Sequence, residues 1–272
     1  MDNKLFPLVS VGIPTYNRSI GLNRTLVSII KQTYSNLEII ISNNFSSDPE
    51  VERVAKSFSN SDSRIKYYKQ SENIGNANNF KFVLEKSKGQ YFMWAPDDDT
   101  WDENYISECM RVFFENTDCV SVFSHFDLIN LRTNQVVGRA TPNSTSSDLP
   151  FVRFRLRLQE MMPNLIYGLH QINIIKKIKI DYYDWSDVLF TAELAFYGKI
   201  LIIPQFLYHC GIDGSKRKPY ALTGKYFDFS IFLNHLSAFM KGRFTFSQRI
   251  RILAVTRYYS FIARRNLNKA II

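Results

Sequence analysis

Four short runs with strand character, Leu8–Ile13, Leu37–Ile41, Ile65–Lys69 and Tyr91–Ala95, alternate with longer stretches whose apolar residues recur at helical spacing. This alternation constrains the fold more than any other feature of the chain. The first helix, about Gly21–Gln32, carries Leu22, Leu26, Ile29 and Ile30 on one face. The second begins with Asp48 as cap and Pro49 as first residue, and runs to about Phe58. Asn73-Ile74-Gly75 opens a third, which reaches Lys86. Strands separated by whole helices pair in parallel through right-handed crossovers, because a hairpin has no room for such a connection. The expectation is an α/β fold with a Rossmann-like, mostly parallel sheet flanked by helices. Ligands of such sheets bind beyond the carboxyl ends of the strands. The first strand should end at Pro14.

The fourth strand leads through Pro96 into three consecutive carboxylates, Asp97, Asp98 and Asp99. Adjacent negative charges repel, so a cation belongs nearby. Hard divalent ions such as Mg²⁺ are held by a carboxylate or two together with substrate phosphates. The plainer reading is an acidic loop before the helix Asn104–Phe114, where Asp is favoured.

Charge is unevenly distributed. From Lys216 onward 12 Lys and Arg stand against Asp228 alone, whereas the preceding residues hold 22 basic and 24 acidic side chains. The chain therefore divides into an α/β domain over 1–215, with a ligand-binding half (1–115) and an acceptor half (116–215), and a basic helical extension over 216–272. In that extension Ile250, Leu253, Ala254, Phe261 and Ile262 form an apolar stripe among Arg249, Arg251, Arg257, Arg264 and Arg265. Such a helix docks on an anionic bilayer or packs on the domain. Cys109, Cys119 and Cys210 form neither a metal-ligand spacing nor a disulfide framework, which points to reduced thiols and a cytoplasmic protein. The first residues lack the pattern of a signal peptide, and no run approaches the roughly 20 apolar residues of a membrane span. A cytoplasmic protein, soluble or peripheral on the membrane's inner face, is expected.

Four blocks carry a resemblance: Val9–Arg18 (Val-Ser-Val-Gly-Ile-Pro-Thr-Tyr-Asn-Arg), Leu37–Asn44, Asn73–Gly75, and Gly89–Trp101 with its Asp triplet. Their order and spacing resemble the family 2 glycosyltransferases of GT-A fold. The resemblance implies inverting transfer from a nucleotide-sugar donor, UDP-, dTDP- or GDP-linked, to a glycan or lipid-linked saccharide of bacterial surface type, with Mn²⁺ or Mg²⁺ on the diphosphate. It assigns Pro14, Thr15, Tyr16, Asn17 and Arg18 to the base and ribose, with Tyr16 stacking. Asn43 and Asn44 stand where the family carries an Asp against the base; an amide accepts from one edge atom and donates to another. Asn73, Gly75 and Asn79 join the same donor-binding set. Pro96 replaces the first Asp of the family's Asp-x-Asp-Asp, leaving Asp98 as metal ligand, Asp99 beside it, and Asp97 toward the ribose or a metal-bound water. His209 completes the metal site, and Lys216–Lys218 close on the diphosphate. Asp187, with Asp184 in reserve, matches the family's general base before an apolar helix.

The second half gives further expectations. Cys119–Ser124 reads as a strand, followed by His125 and Asp127, with His125 either touching the sugar or packing. Asn130–Val137 reads as a hairpin, and Thr141–Asp148 as the most mobile loop. Residues 151–158 favour helix, their Arg153, Arg155 and Arg157 either lining a site for a phosphorylated acceptor or lying solvated. Lys199–Pro204 reads as an edge strand. Two other function classes fit less well. A nucleotidyltransferase expects a basic, Gly-rich loop where Pro14–Asn17 stands, and a nucleic-acid binder expects basic and aromatic residues on one platform, whereas here the basic charge lies in the tail and the cleft is acidic.

Overall fold

The four leading strands lie side by side. In the computed structural model, which describes residues 6–179, 186–212, 229–254 and 256, β1 (Val9–Thr15), β2 (Leu37–Asn43), β3 (Ile65–Lys69) and β4 (Tyr91–Trp94) run parallel in the order β3-β2-β1-β4. Every residue of β1 and β2 is buried, as strands covered on both faces require. The covering crossovers are α1 (Ser19–Ile30), α2 (Pro49–Ser61) and α3 (Asn76–Lys86). Asp48 caps α2 as expected, its Oδ1 accepting from the Glu50 amide at 3.0 Å.

Pro14 does not end β1 but lies inside it, opposite Ser42. The Gly12 carbonyl accepts from the Ala95 amide, so Pro14, two residues on, faces the side where β4 has already finished. Its missing N–H therefore breaks no ladder bond.

Beyond β4 the sheet continues through β8 (Leu169–Gln171), antiparallel to both neighbours, then β6 (Cys119–Asn130), β9 (Lys199–Ile212) and the two-residue β5 (Thr100–Trp101). β6 and β9 are parallel, and β7 (Gln135–Ala140) forms the expected hairpin with β6. The Lys199–Pro204 stretch opens a 14-residue strand that reaches β5 only at Tyr208 and His209, so the stretch itself pairs with β6 alone and lies at the sheet margin as expected, its outer side met by the bridge from Ile200 to Thr145. Pro204 falls where the β6–β9 register slips between Ser124 and His125, a bulge that needs no proline N–H.

The remaining helices are α4 (Tyr105–Glu115), α5 (Pro150–Glu160), α6 (Ile172–Ile175), α7 (Ser186–Tyr197) and α8 (Phe229–Met240), with a 3₁₀ turn at Pro163–Tyr167. One core fills the α1, α2 and α4 side of the sheet, and a second packs β4 against α3 and α7. A third joins α5 and α7 to Phe232, Leu236, Phe239, Met240, Phe244 and Ile252 from the start of the basic extension.

Two expectations about α5 and its approach change. Arg153 and Arg157 are 6% and 1% exposed, so they do not lie solvated, and their donors are taken up within the protein. Arg153 donates to the carbonyls of Ala195, Ser147 and Phe196, and Arg157 to Glu160 and the Asn143 carbonyl. These arginines brace the loop at 141–148. That loop is further tied by a bridge from Thr145 to Ile200 and by the Ile202 amide on Ser144 Oγ at 2.9 Å, so its polar composition serves attachment.

Candidate active site

The loops that follow β1, β2 and β4 converge beyond the strand ends, and short polar side chains lock them to one another. Asn17, at φ 54°, turns the chain after β1, and its Oδ1 accepts from the Asp48 amide at 3.1 Å while its own amide donates to Ser46 Oγ at 2.9 Å. Asn43 Oδ1 accepts from the Ser46 amide and its Nδ2 donates to the Tyr67 hydroxyl at 3.1 Å. Asn44 donates to Asn73 Oδ1 and accepts from the Ile74 amide, both at 2.9 Å. The Gly75 amide donates to the same Asn73 oxygen, and Gly75 holds φ 80°, which glycine adopts freely at the entry to α3. Asn79, 2% exposed, accepts from Ser42 Oγ at 2.6 Å and donates to the Ser42 carbonyl at 3.1 Å. The asparagines thus build the wall of the site. Tyr16 stands out of it, 44% exposed.

Asp97 is 5% exposed. Its Oδ2 accepts from Thr15 Oγ1 at 2.7 Å and the Tyr16 amide at 3.3 Å, and its Oδ1 from Arg18 Nη1 at 3.2 Å. The same Nη1 donates to Asp98 Oδ2 at 2.7 Å. Burial raises Asp97 to about 6, against the pull of the Arg18 charge and the Thr15 hydroxyl. Asp99 is oriented differently: its carboxylate accepts from the Tyr208 hydroxyl, and from the Gly211 amide at 2.8 Å, tying the triplet to β9. Tyr208 stacks on Trp101 with ring centroids 5.3 Å apart. Thr25 Oγ1 lies 2.7 Å from the Asp99 carbonyl and 3.1 Å from that of Pro96, one hydroxyl shared by two acceptors.

Two glycines let the backbone of the triplet sit this deep. A Cβ on Gly21 would stand 2.1 Å from the Asp97 carbonyl oxygen, and one on Gly211 would stand 2.2 Å from that of Asp98. α1 closes on the loop from one side and β9 from the other, at backbone-to-backbone distance.

His209 does not join the triplet. Strand alternation turns it away from its neighbour Tyr208, which faces Asp99. Its Nε2 lies 3.0 Å from Asp102 Oδ1 and its Nδ1 3.4 Å from Asp127 Oδ2. Asp127 in turn accepts from Arg139 at 3.0 Å, and His125 packs on the Phe206 ring at 5.4 Å. Asp187 occupies the first turn of α7, where the helix terminus favours a carboxylate, and its Oδ1 accepts from the Val188 amide at 2.8 Å. Asp184 and Lys216–Lys218 lie outside the described residues.

Burial, then the negative charges of Asp99, Asp187 and Asp98, hold the Tyr167 phenol well above the usual range. Sequence patterns give no signal for Tyr167, Tyr208, Gly21 or Gly211, since each acts through a partner distant along the chain.

The residues fit a divalent cation. Asp97 and Asp98 offer hard oxygens that converge on one point, and the nitrogen of Arg18 stands at that point as a substitute positive charge. Among the described residues no three His, Cys, Asp or Glu side chains cluster as a complete metal cage. Two carboxylates completed by substrate phosphates is the usual arrangement for Mg²⁺.

Comparison with known proteins agrees with this layout. An uncharacterized glycosyltransferase of Rickettsia felis is 29% identical over 215 residues, covering 74% of this chain and 34% of that protein. The chain thus spans about a third of that relative's length. S. aureus TarS 1–349 in complex with UDP-GlcNAc superposes with a TM-score of 0.71 at 17% identity, over 93% of this chain and 73% of that one. The mannosyltransferase PcManGT from Pyrobaculum calidifontis, in complex with GDP-Man and Mn²⁺, gives a TM-score of 0.61 at 13% identity, over 93% and 69%. These likenesses establish the fold as GT-A-like. The model of glycosyl transferase family 2 matches residues 10–177, and with that match the chain belongs to this family.

Proposed function

We propose that this chain transfers a sugar from a nucleoside-diphosphate donor to an acceptor hydroxyl with inversion, and that a divalent cation assists. The observation that carries the reading is the convergence of Asp97 and Asp98 on one guanidinium nitrogen, that of Arg18, beyond the ends of the parallel strands. Binding of UDP-GlcNAc by TarS and of GDP-Man with Mn²⁺ by PcManGT supports the donor class and the ion.

Tyr16, exposed on the loop after β1, offers a face for the base. The Asn43–Asn44–Asn73 lattice holds the neighbouring loops at fixed spacing, so the donor meets a formed wall. Asp98, with Asp97 or Asp99 beside it, would hold Mn²⁺ or Mg²⁺, which supplies charge neutralisation for the departing diphosphate. Asp187 is the base: it takes the proton of the acceptor hydroxyl as that oxygen attacks the anomeric carbon and the nucleoside diphosphate leaves with the bonding electrons.

The acceptor is a glycan or lipid-linked saccharide, met at the cytoplasmic face of a membrane. Support comes from the described part of the basic extension, where Phe246 and Ile250 are 72% and 50% exposed beside Lys241, Arg249 and Arg251. Leu253 of the stripe packs against the domain core instead, next to the buried Ile252, so the described part of the stripe divides between the two surfaces. No helix among the described residues is long and apolar enough to cross a membrane.

Calorimetry with UDP, GDP and dTDP, each with and without Mn²⁺, tests the reading. Binding of one nucleotide, strengthened by Mn²⁺ and weakened in Asp98→Asn, is expected. Absence of binding by all three, or binding indifferent to both chelation and Asp98→Asn, overturns it.

A further inference from the structure

Arg18 differs from the other charged groups of the site in being loosely placed. Its side chain is 47% exposed, whereas those of Asp97 and Asp98 are 8% and 11% exposed. The carboxylates cannot follow it outward. Asp97 is pinned by Thr15 and the Tyr16 amide, and the backbone beneath both aspartates is clamped between Gly21 and Gly211. The guanidinium reaches inward on a long stem, so rotation about its own side-chain bonds withdraws it. The pair therefore presents two fixed hard acceptors and one removable cation.

Resting on the transferase reading above, we propose that Arg18 is a tethered counter-cation. It neutralises Asp97 and Asp98 until donor and divalent ion arrive, and the two displace it together. An ion arriving alone must compete with a charge attached to the same chain, whose effective concentration is in the millimolar range or above. A diphosphate changes that competition, because a guanidinium pairs well with phosphate oxygens and then has another partner to turn to. Nucleotide and ion consequently strengthen one another's binding, and by linkage the factor is the same in both directions. Arg18 is a positioning residue here: it sets the order of loading, and Asp187 does the proton transfer.

The test measures Mn²⁺ affinity of the full chain by calorimetry and by the Mn²⁺ electron paramagnetic resonance signal, with and without UDP, GDP or dTDP. Wild type, Arg18→Gln and Arg18→Lys are compared, after thermal unfolding shows that each is folded. In Arg18→Gln, Mn²⁺ alone should bind about tenfold more tightly, and the enhancement by nucleotide should shrink by about the same factor. Arg18→Lys, which keeps a charge but not the planar fork, should fall between and serves alone should Arg18→Gln not fold. Unchanged Mn²⁺ affinity in the variants, with nucleotide and Mn²⁺ still binding jointly to wild type, overturns the role of Arg18 and leaves the transferase reading intact. Failure of wild type to bind any of UDP, GDP and dTDP with Mn²⁺ removes both.

Discussion

Gly21→Ala sets two effects of opposite sign against each other. Gly21 sits in the first turn of α1, and replacing glycine by alanine in a helix ordinarily stabilises by roughly 0.5–1 kcal/mol. Here the new Cβ would lie 2.1 Å from the Asp97 carbonyl oxygen, where ordinary contact begins at 3.4 Å. The clash is with backbone, so no rotamer change relieves it. α1 or the acidic loop must move by more than an ångström, and overpacking of that kind costs about 1–3 kcal/mol. The loop resists movement, since Thr25 binds the carbonyls of Pro96 and Asp99 and Gly211 closes the opposite side. Overpacking of about 2 kcal/mol less a propensity gain of roughly 0.5–1 kcal/mol leaves net destabilisation of about 1 kcal/mol, a fall in the unfolding midpoint of roughly 2–4 °C for a chain of this size. A displacement near 1 Å at positioning groups costs about 10²-fold in rate, so turnover should fall by that order as well. Thermal unfolding followed by circular dichroism and a donor-turnover assay read the two quantities. A variant more stable than wild type, with unchanged turnover, would show that propensity outweighs the clash and refute the clamp.

Three further outcomes are expected. Asp187→Asn should keep donor affinity in calorimetry while transfer drops by about 10²–10⁴-fold, and retained turnover would assign the base elsewhere. Burial raises Glu193 on α7 to about 7 despite Arg243, so the folded state holds its proton more tightly than the unfolded chain. Its contribution is full below about pH 4.5 and is lost as the pH rises toward 7, by roughly 1–2 kcal/mol for a partly covered side chain. Urea unfolding at pH 5 and pH 8 should show that loss in wild type and not in Glu193→Gln; equal slopes in both would refute it. Replacing Phe246 and Ile250 by Asp should lower binding to vesicles containing anionic lipid by tenfold or more, since two apolar anchors of roughly 1 kcal/mol each or more are removed. Unchanged sedimentation with such vesicles would place the membrane contact on other residues.

Much of the architecture is legible in local pattern. Asp48-Pro49 marks the start of α2 because cap and first-turn chemistry depend on adjacent residues alone. β3 begins and ends where its residues predict, and the parallel order of the first four strands follows from the helices between them. The length of β1 is not local: Pro14 is tolerated there because β4 stops early on the relevant side. The same holds for Lys199–Ile212, whose proline sits at a bulge fixed by its partner strand. Arg153 and Arg157 read as surface charges until the carbonyls that they satisfy come into view.

The sequence alone determines which groups can do chemistry: a run of carboxylates after an apolar strand, and polar loops ahead of helices. Their identity and order survive in one dimension, because covalent neighbours carry them. Which carboxylate serves what is a tertiary decision. Asp99 goes to Tyr208 and Gly211, more than a hundred residues away, and Asp97 and Asp98 share the guanidinium of Arg18. His209 goes to Asp102 and Asp127. A charged group in a crowded interior settles on whatever donors the packed backbone brings within hydrogen-bond reach, and only the assembled sheet specifies those.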